Sequence, residues 1–209
     1  MKLLKLRKHK WSLGDRQKLN CIANLISSGG IGIFPTDTVY GIGVSPKYSR
    51  SVQKIYRFKK RERNKPLVNL IGYKKDTSLF VRSISTHARR LIKKFWPGPL
   101  TIILKTPRGT VGLRMPNHKI VLALLRKTGP LATTSANISG QSPPIEFNQI
   151  NKGLLKKIDF ALDGGRAPLK KVSTIVDCTG EDVRILRKGV VSEKRIREAA
   201  YRKQSKLVK

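Results

Sequence analysis

Ile31-Gly32-Ile33-Phe34-Pro35-Thr36-Asp37-Thr38-Val39-Tyr40-Gly41-Ile42-Gly43-Val44 is the stretch on which the reading of this chain turns. Ile31 to Phe34 reads as a buried strand. The Gly29-Gly30 pair before it ends a helix whose Leu19, Ile22, Ala23 and Ile26 recur at helical spacing. Pro35 leads a turn with three adjacent polar side chains, and Val39 to Val44 extends again, broken by Gly41 and Gly43. On an extended chain Thr36, Thr38 and Tyr40 share one face. Such a face offers hydroxyls to a small polar ligand. The plainer alternative is a capped turn in which Thr36 and Asp37 satisfy backbone groups.

Outward from this stretch, short apolar runs alternate with amphipathic ones. The spacing predicts helices over Ser49–Phe58, Thr86–Phe95 and His118–Lys127, the second stopped by Trp96-Pro97-Gly98-Pro99. Strands are predicted at Leu67–Ile71, Leu131–Thr134, Phe160–Leu162, Thr174–Asp177 and Val183–Leu186. Leu100–Leu104 and Val111–Met115 read as paired strands across a turn at Pro107-Arg108-Gly109. Strands and helices intermix without strict alternation, which predicts an α/β fold with a mixed, twisted sheet rather than a Rossmann arrangement. No Gly-x-Gly-x-x-Gly follows a strand into a helix, and there is no Walker A sequence, so any nucleotide site is built some other way.

Composition sets the outer limits. The 209 residues fit one domain with tails: a basic arm over 1–13, a main domain over 14–190 and a basic helix and tail over 191–209. The longest apolar runs are too short to span a bilayer, and no apolar stretch follows Lys2 and Lys5 to make a secretory signal. The expectation is therefore a cytoplasmic protein without membrane partners. Cys21 and Cys178 stand far apart without metal-type spacing. Forty-five Lys and Arg against twelve Asp and Glu make the net charge +33, a field that attracts nucleic acid, nucleotides or anionic surfaces. Charge by itself says nothing about chemistry.

Four segments carry chemical potential. The first is the Pro35-led turn. The second is Lys59-Lys60-Arg61-Glu62-Arg63-Asn64-Lys65, five cations in seven residues at a helix end. A solvated charge run explains it, but so does a triphosphate, for which Lys supplies a point charge and Arg a planar fork. The third is Ala132-Thr133-Thr134-Ser135-Ala136-Asn137-Ile138-Ser139-Gly140, where small polar side chains end a strand and Ser135 and Asn137 are expected to point the same way. The fourth pairs Ser173-Thr174-Ile175-Val176-Asp177 with Ile185-Leu186-Arg187-Lys188-Gly189 and could close a phosphate site.

Taken together these segments resemble the YrdC/TsaC threonylcarbamoyl-AMP synthases over roughly residues 14 to 190. The resemblance rests on Pro35–Gly41, Lys59-x-Arg61 followed by Lys65-Pro66-Leu67, Phe95–Thr101, Val111–Pro116, Ser135–Gly140, Leu162–Gly165, Ser173–Asp177 and Ile185–Gly189, all in family order. Lys60 stands where many relatives carry Gly, and Glu62 where Pro is frequent.

What the resemblance implies is a YrdC-like twisted mixed sheet, partly barrel-like, with flanking helices and a large concave basic cleft. It implies synthesis of threonylcarbamoyl-AMP from L-threonine, bicarbonate and ATP by a nucleotidyltransferase, with Mg²⁺ carried by the ATP and no metal ligand assigned to the protein. Lys59 and Arg61 would be catalytic. Thr36, Tyr40, Lys65 and Arg114 would bind threonine. Lys59, Arg61, Arg63, Thr133, Ser135, Asn137, Thr174 and Arg187 would bind ATP. The short form, without the extra C-terminal domain of longer relatives, would hand its product to a tRNA-threonylcarbamoyl transferase complex for the adenosine next to the anticodon. The rival expectation is an RNA-binding protein of this fold, with tRNA, double-stranded RNA or ribosomal RNA on its basic surface and no turnover.

Overall fold

Residues 2–5 and 13–201 are described by the computed structural model. The amphipathic run ahead of the opening stretch becomes α1 (Leu13–Ser27), with Leu19, Ile22 and Ile26 buried. It stops where Gly29 takes φ +85° and its amide, with that of Gly30, returns to the carbonyls of Ile26 and Leu25. That left-handed residue is the usual reason for a glycine there. The chain then forms β2 (Gly32–Phe34) and, after the Pro35 turn, β3 (Gly41–Val44), an antiparallel pair.

The remaining elements follow the predicted order: α2 (Ser49–Lys59), β4 (Val68–Leu70), α3 (Thr86–Phe95), β5 (Leu100–Thr106), β6 (Gly109–Arg114), α4 (Lys119–Thr128), β7 (Leu131–Ser135), α5 (Lys152–Leu155), β8 (Phe160–Asp163), β9 (Thr174–Asp177), β10 (Arg184–Arg187) and α6 (Glu193–Tyr201). The α3 boundaries coincide with the predicted ones because both ends are chemically marked. Ser85 caps the start by accepting the Ala88 amide, and the Trp96-Pro97-Gly98-Pro99 run prevents continuation. Lys152–Leu155 and the 3₁₀ turns at Lys74–Leu79 and Phe147–Gln149 are too short to show a period, and sequence reading passes over them.

Lys2–Lys5, within the expected basic arm, forms strand β1. It pairs in parallel with β8, and the Lys2 amide donates to Asp159 O at 2.8 Å. Residues 6–12 of the expected arm and 202–209 of the expected C-terminal helix and tail lie outside the described residues.

The strands form one mixed sheet in the order β1-β8-β2-β3-β7-β4-β6-β5-β9-β10. Parallel pairs (β2/β8, β4/β6, β5/β9) sit among antiparallel ones (β3/β7, β4/β7, β5/β6). Three apolar clusters hold the helices to it. One joins Leu91 and Phe95 of α3 to Ile196 and Ala200 of α6, so the C-terminal helix is part of the packed body. A second joins α1 to Val121, Leu124 and Leu125 of α4, and a third joins Ile55 of α2 to Ile33, Ile42 and Leu154. Gly32 is required by packing: a Cβ there would enter the ring of Phe160 on the paired strand.

Candidate functional site

The pleat of neighbouring strands assembles a cavity of about 380 Å³ on one face of the sheet. Val68 pairs with Thr133, Leu70 with Arg114, Gly41 with Ser135 and Thr101 with Ile175, and all eight line the cavity. Alternation sends their neighbours the other way: Leu100, Ile102 and Val176 enter the core. The same rule separates Ser173 and Ile175, which line the cavity, from Thr174, which does not. Thr174 instead exchanges hydrogen bonds with the backbone of Val191, at 2.8 and 2.9 Å.

The Pro35 turn is a capped turn and a cavity wall at once. Thr36 Oγ1 donates to Val39 O (2.7 Å) and accepts from the amides of Thr38 (3.1 Å) and Val39 (3.3 Å). The segment is therefore not extended, and the shared face expected of an extended chain is replaced by hydroxyl-capped curvature. Thr36, Thr38 and Tyr40 still line the cavity. Behind them Asp37 pairs with Arg114, both nearly inaccessible to solvent. Arg114 also donates to Thr38 Oγ1 (2.9 Å) and to Gly98 O (3.1 Å). Burial pushes the Arg114 pKa down, and Asp37 opposes that shift. The second carboxylate oxygen of Asp37 is buried without a hydrogen-bond partner among the described residues. The Tyr40 hydroxyl is committed to Gly165 O (2.7 Å) and the Gly164 amide (3.3 Å), and burial, followed by Asp163, pushes its pKa up.

Two guanidinium groups stand outside any ion pair among the described residues. Arg61 donates to the carbonyls of Lys65 (2.8 Å) and Pro66 (3.2 Å). Arg187 donates twice to Ser173 O (3.1 and 2.9 Å) and once to Ser173 Oγ (3.0 Å). Both line the cavity, and among the described residues neither is in an ion pair. The Arg187 pKa is lowered by burial, then by Arg114, then by Arg61, so both other cations act on Arg187. Neutral carbonyls fix their forks while leaving the charge available to an anion. Gly189 makes the Arg187 placement possible, since a Cβ there would strike the backbone at 172–174.

Of the residues singled out in sequence, Thr36, Tyr40, Arg61, Lys65, Arg114, Thr133, Ser135 and Arg187 line the cavity, whereas Lys59, Arg63, Asn137 and Thr174 do not. Thr133 spends its hydroxyl on Val68 O at 2.9 Å. Lys65 reaches the rim and pairs with Glu62 at 2.8 Å, in a solvent-exposed contact. Arg63 is exposed. Lys59 is buried, and its ammonium donates to Ser135 O (2.6 Å) and to Asn137 O. Asn137 turns away from the Ser135 face because the chain leaves β7 at Ser135, and its amide caps Ile138 O (2.9 Å) and Gln141 O (2.6 Å). Sequence reading missed Asp37 as the Arg114 partner, and Ser173 and Thr101 as cavity residues. The period of two was visible for Ser173 and Thr101, but its phase was not. Nothing local marks the Asp37–Arg114 pairing.

A mixed-sheet α/β protein with an arginine-lined cavity is the class that this fold and site define. The chain belongs to the Sua5/YciO/YrdC family, described as telomere recombination, whose profile matches residues 24–189. A Mycobacterium tuberculosis protein provisionally named a threonylcarbamoyl-AMP synthase is 40% identical over 183 residues, covering 83% of this chain and 84% of its own. The Pyrococcus abyssi threonylcarbamoyl-AMP synthase is 34% identical over 209 residues, covering 90% of this chain and 62% of its own. In structure, P. abyssi Sua5 complexed with L-threonine superposes with a TM-score of 0.88 at 31% identity, over 95% of this chain. This chain spans 61% of that protein's length. Escherichia coli YciO has the same fold, with a TM-score of 0.83 at 24% identity over 94% of this chain and 100% of its own. Among the described residues, no helix is long and apolar enough to cross a membrane.

Proposed function

We propose that this protein is a nucleotidyltransferase that makes threonylcarbamoyl-AMP from L-threonine, bicarbonate and ATP. The observation that carries the reading is the pair of guanidiniums, Arg61 and Arg187, in no ion pair among the described residues and fixed by carbonyls on the wall of one cavity. The family relationship and the threonine-bound relative support the choice of substrates.

In the proposed reaction the threonine nitrogen bonds to the bicarbonate carbon and water leaves, giving a carbamate. A carbamate oxygen then bonds to the α-phosphorus of ATP, the bond to the bridging oxygen of the β-phosphate breaks, and pyrophosphate departs. Negative charge accumulates at the phosphates, and preorganised cations are what lower such a barrier. Arg61 and Arg187 take that role here, with Mg²⁺ arriving on the triphosphate. Thr36, Thr38, Ser135 and Ser173 supply the polar lining for the amino acid and nucleotide. Arg114 keeps two guanidinium N–H groups beyond those bound to Asp37, Thr38 and Gly98, which suits a carboxylate of the substrate. A tRNA-threonylcarbamoyl transferase complex is the proposed recipient of the product.

Purified protein with Mg²⁺, ATP, threonine and ¹⁴C-bicarbonate is expected to yield labelled adenylate and one pyrophosphate per label. Folded protein that binds RNA in a salt-sensitive manner but gives no labelled adenylate would replace this reading with that of a binding module.

A further inference from the structure

Lys59 is the last residue of α2, and its side chain is 1% exposed. Such an ammonium normally finds a carboxylate. This one has none among the described residues. Its donors go to Ser135 O at 2.6 Å, to Asn137 O, and at 3.5 Å to Asn137 Oδ1. Its own backbone carbonyl accepts the Ser139 amide at 2.9 Å. One residue thus clasps the loop after β7 at both its start and its end.

The two parts joined by the clasp are the two walls that meet at the cavity. On one side Lys60 takes the left-handed conformation, φ 51°, turning the chain so that Arg61 reaches the cavity two residues after Lys59. On the other, Ser135 closes β7 and lines the cavity. Lys59 lies between them and does not line the cavity itself.

We infer that Lys59 is a positioning residue whose ammonium sets the Arg61 wall against the Ser135–Ser139 loop, and not a ligand of the phosphates. The inference rests on the phosphate-binding reading of Arg61 and Arg187 for its consequence in turnover, but the clasp itself is tested without turnover. Burial, reinforced by the Arg61 charge, lowers the Lys59 pKa to about 8. The fold therefore holds a costly cation where carbonyls, rather than an anion, receive it.

Lys59→Met and Lys59→Arg separate the alternatives, with inorganic pyrophosphate as the probe. In Lys59→Met, hydrogen exchange at the Ala136–Gln141 amides should quicken at least tenfold. The pyrophosphate Kd should stay within threefold of wild type, while kcat falls at least thirtyfold at nearly unchanged KM for ATP. Lys59→Arg, which keeps the charge but presents a fork to a site shaped for a point donor, should recover less than a tenth of kcat. A tenfold or greater loss of pyrophosphate affinity with unchanged loop exchange overturns the inference and makes Lys59 a phosphate ligand. If Lys59→Met does not fold, the wild-type protein decides. The Lys59 ¹³Cε resonance should hold its shift at saturating pyrophosphate, and a shift as large as those of the cavity residues overturns the inference. Failure of pyrophosphate to bind at all would remove the proposed phosphate site while leaving the exchange measurement to judge the clasp.

Discussion

Arg114 and Arg187 face one cavity from β6 and β10, and they are held in opposite ways. Arg114 is buried, neutralised by Asp37 and braced by Thr38 and Gly98. Arg187 keeps part of its surface exposed while its guanidinium is partly buried against Ser173, and it is in no ion pair among the described residues. The same side chain is a structural member in one place and an open charge in the other. A paired buried cation resists removal because its partner would be stranded, whereas an unpaired one at a cavity wall retains its field for an incoming anion. Stability experiments should therefore find Arg114 and its partner, and pyrophosphate-binding experiments should find Arg187.

The largest effect is expected from Asp37→Ala, which leaves Arg114 as an uncompensated buried cation. It should cost about 3–5 kcal/mol in denaturant unfolding, the range for breaking a buried pair. A loss below about 1 kcal/mol would erase the contrast between the two arginines. Gly189→Ala drives a methyl group into the backbone at 172–174 and should cost about 2 kcal/mol. It should weaken pyrophosphate binding too, because the same approach sets Arg187 over Ser173. Arg187→Gln sharpens the other side. Calorimetry should show pyrophosphate affinity down by about 10- to 100-fold, the worth of charge-assisted hydrogen bonds, with unfolding free energy changed by less than about 0.5 kcal/mol.

Lys59 provides a smaller, pH-resolved effect. Its folded pKa of about 8 lies below that of an unfolded lysine near 10.4. Between those values the unfolded chain binds more protons, so the Lys59 contribution to stability rises with pH. The unfolding free energy of wild type relative to Lys59→Met should move in favour of wild type by on the order of 1 kcal/mol from pH 8 to pH 10. Glu62→Gln, which breaks only the exposed pair with Lys65, should change stability by less than about 0.5 kcal/mol.

Much of this molecule is legible in local sequence, because local sequence holds the physics that decides it. Ser85 and the Trp96-Pro97-Gly98-Pro99 run bound α3, the Gly29-Gly30 pair ends α1, and Thr174–Asp177 is a strand with the predicted limits. The order of motifs was sufficient to point to the family. Where a segment depends on a distant neighbour, reading stops. Lys2–Lys5 becomes a strand only because β8 offers it a free edge, and nothing in Lys-Leu-Leu-Lys announces that edge.

The site divides along the same line. Which residue types gather at the motifs is a property of the chain alone: hydroxyls at 36 and 38, cations at 59 and 61, a serine at 135 and an arginine at 187. Which of them meet the cavity is not. Pairing with β5 sets the phase of β9 and turns Ser173 inward in place of Thr174. The curl of the chain after β7 takes Asn137 off the Ser135 face, and Lys59 faces the carbonyls there rather than solvent. Asp37 meets Arg114 across 77 positions of sequence. Side-chain period and turn chemistry act over a few residues, whereas register, burial and charge pairing are settled only when separate strands lie side by side.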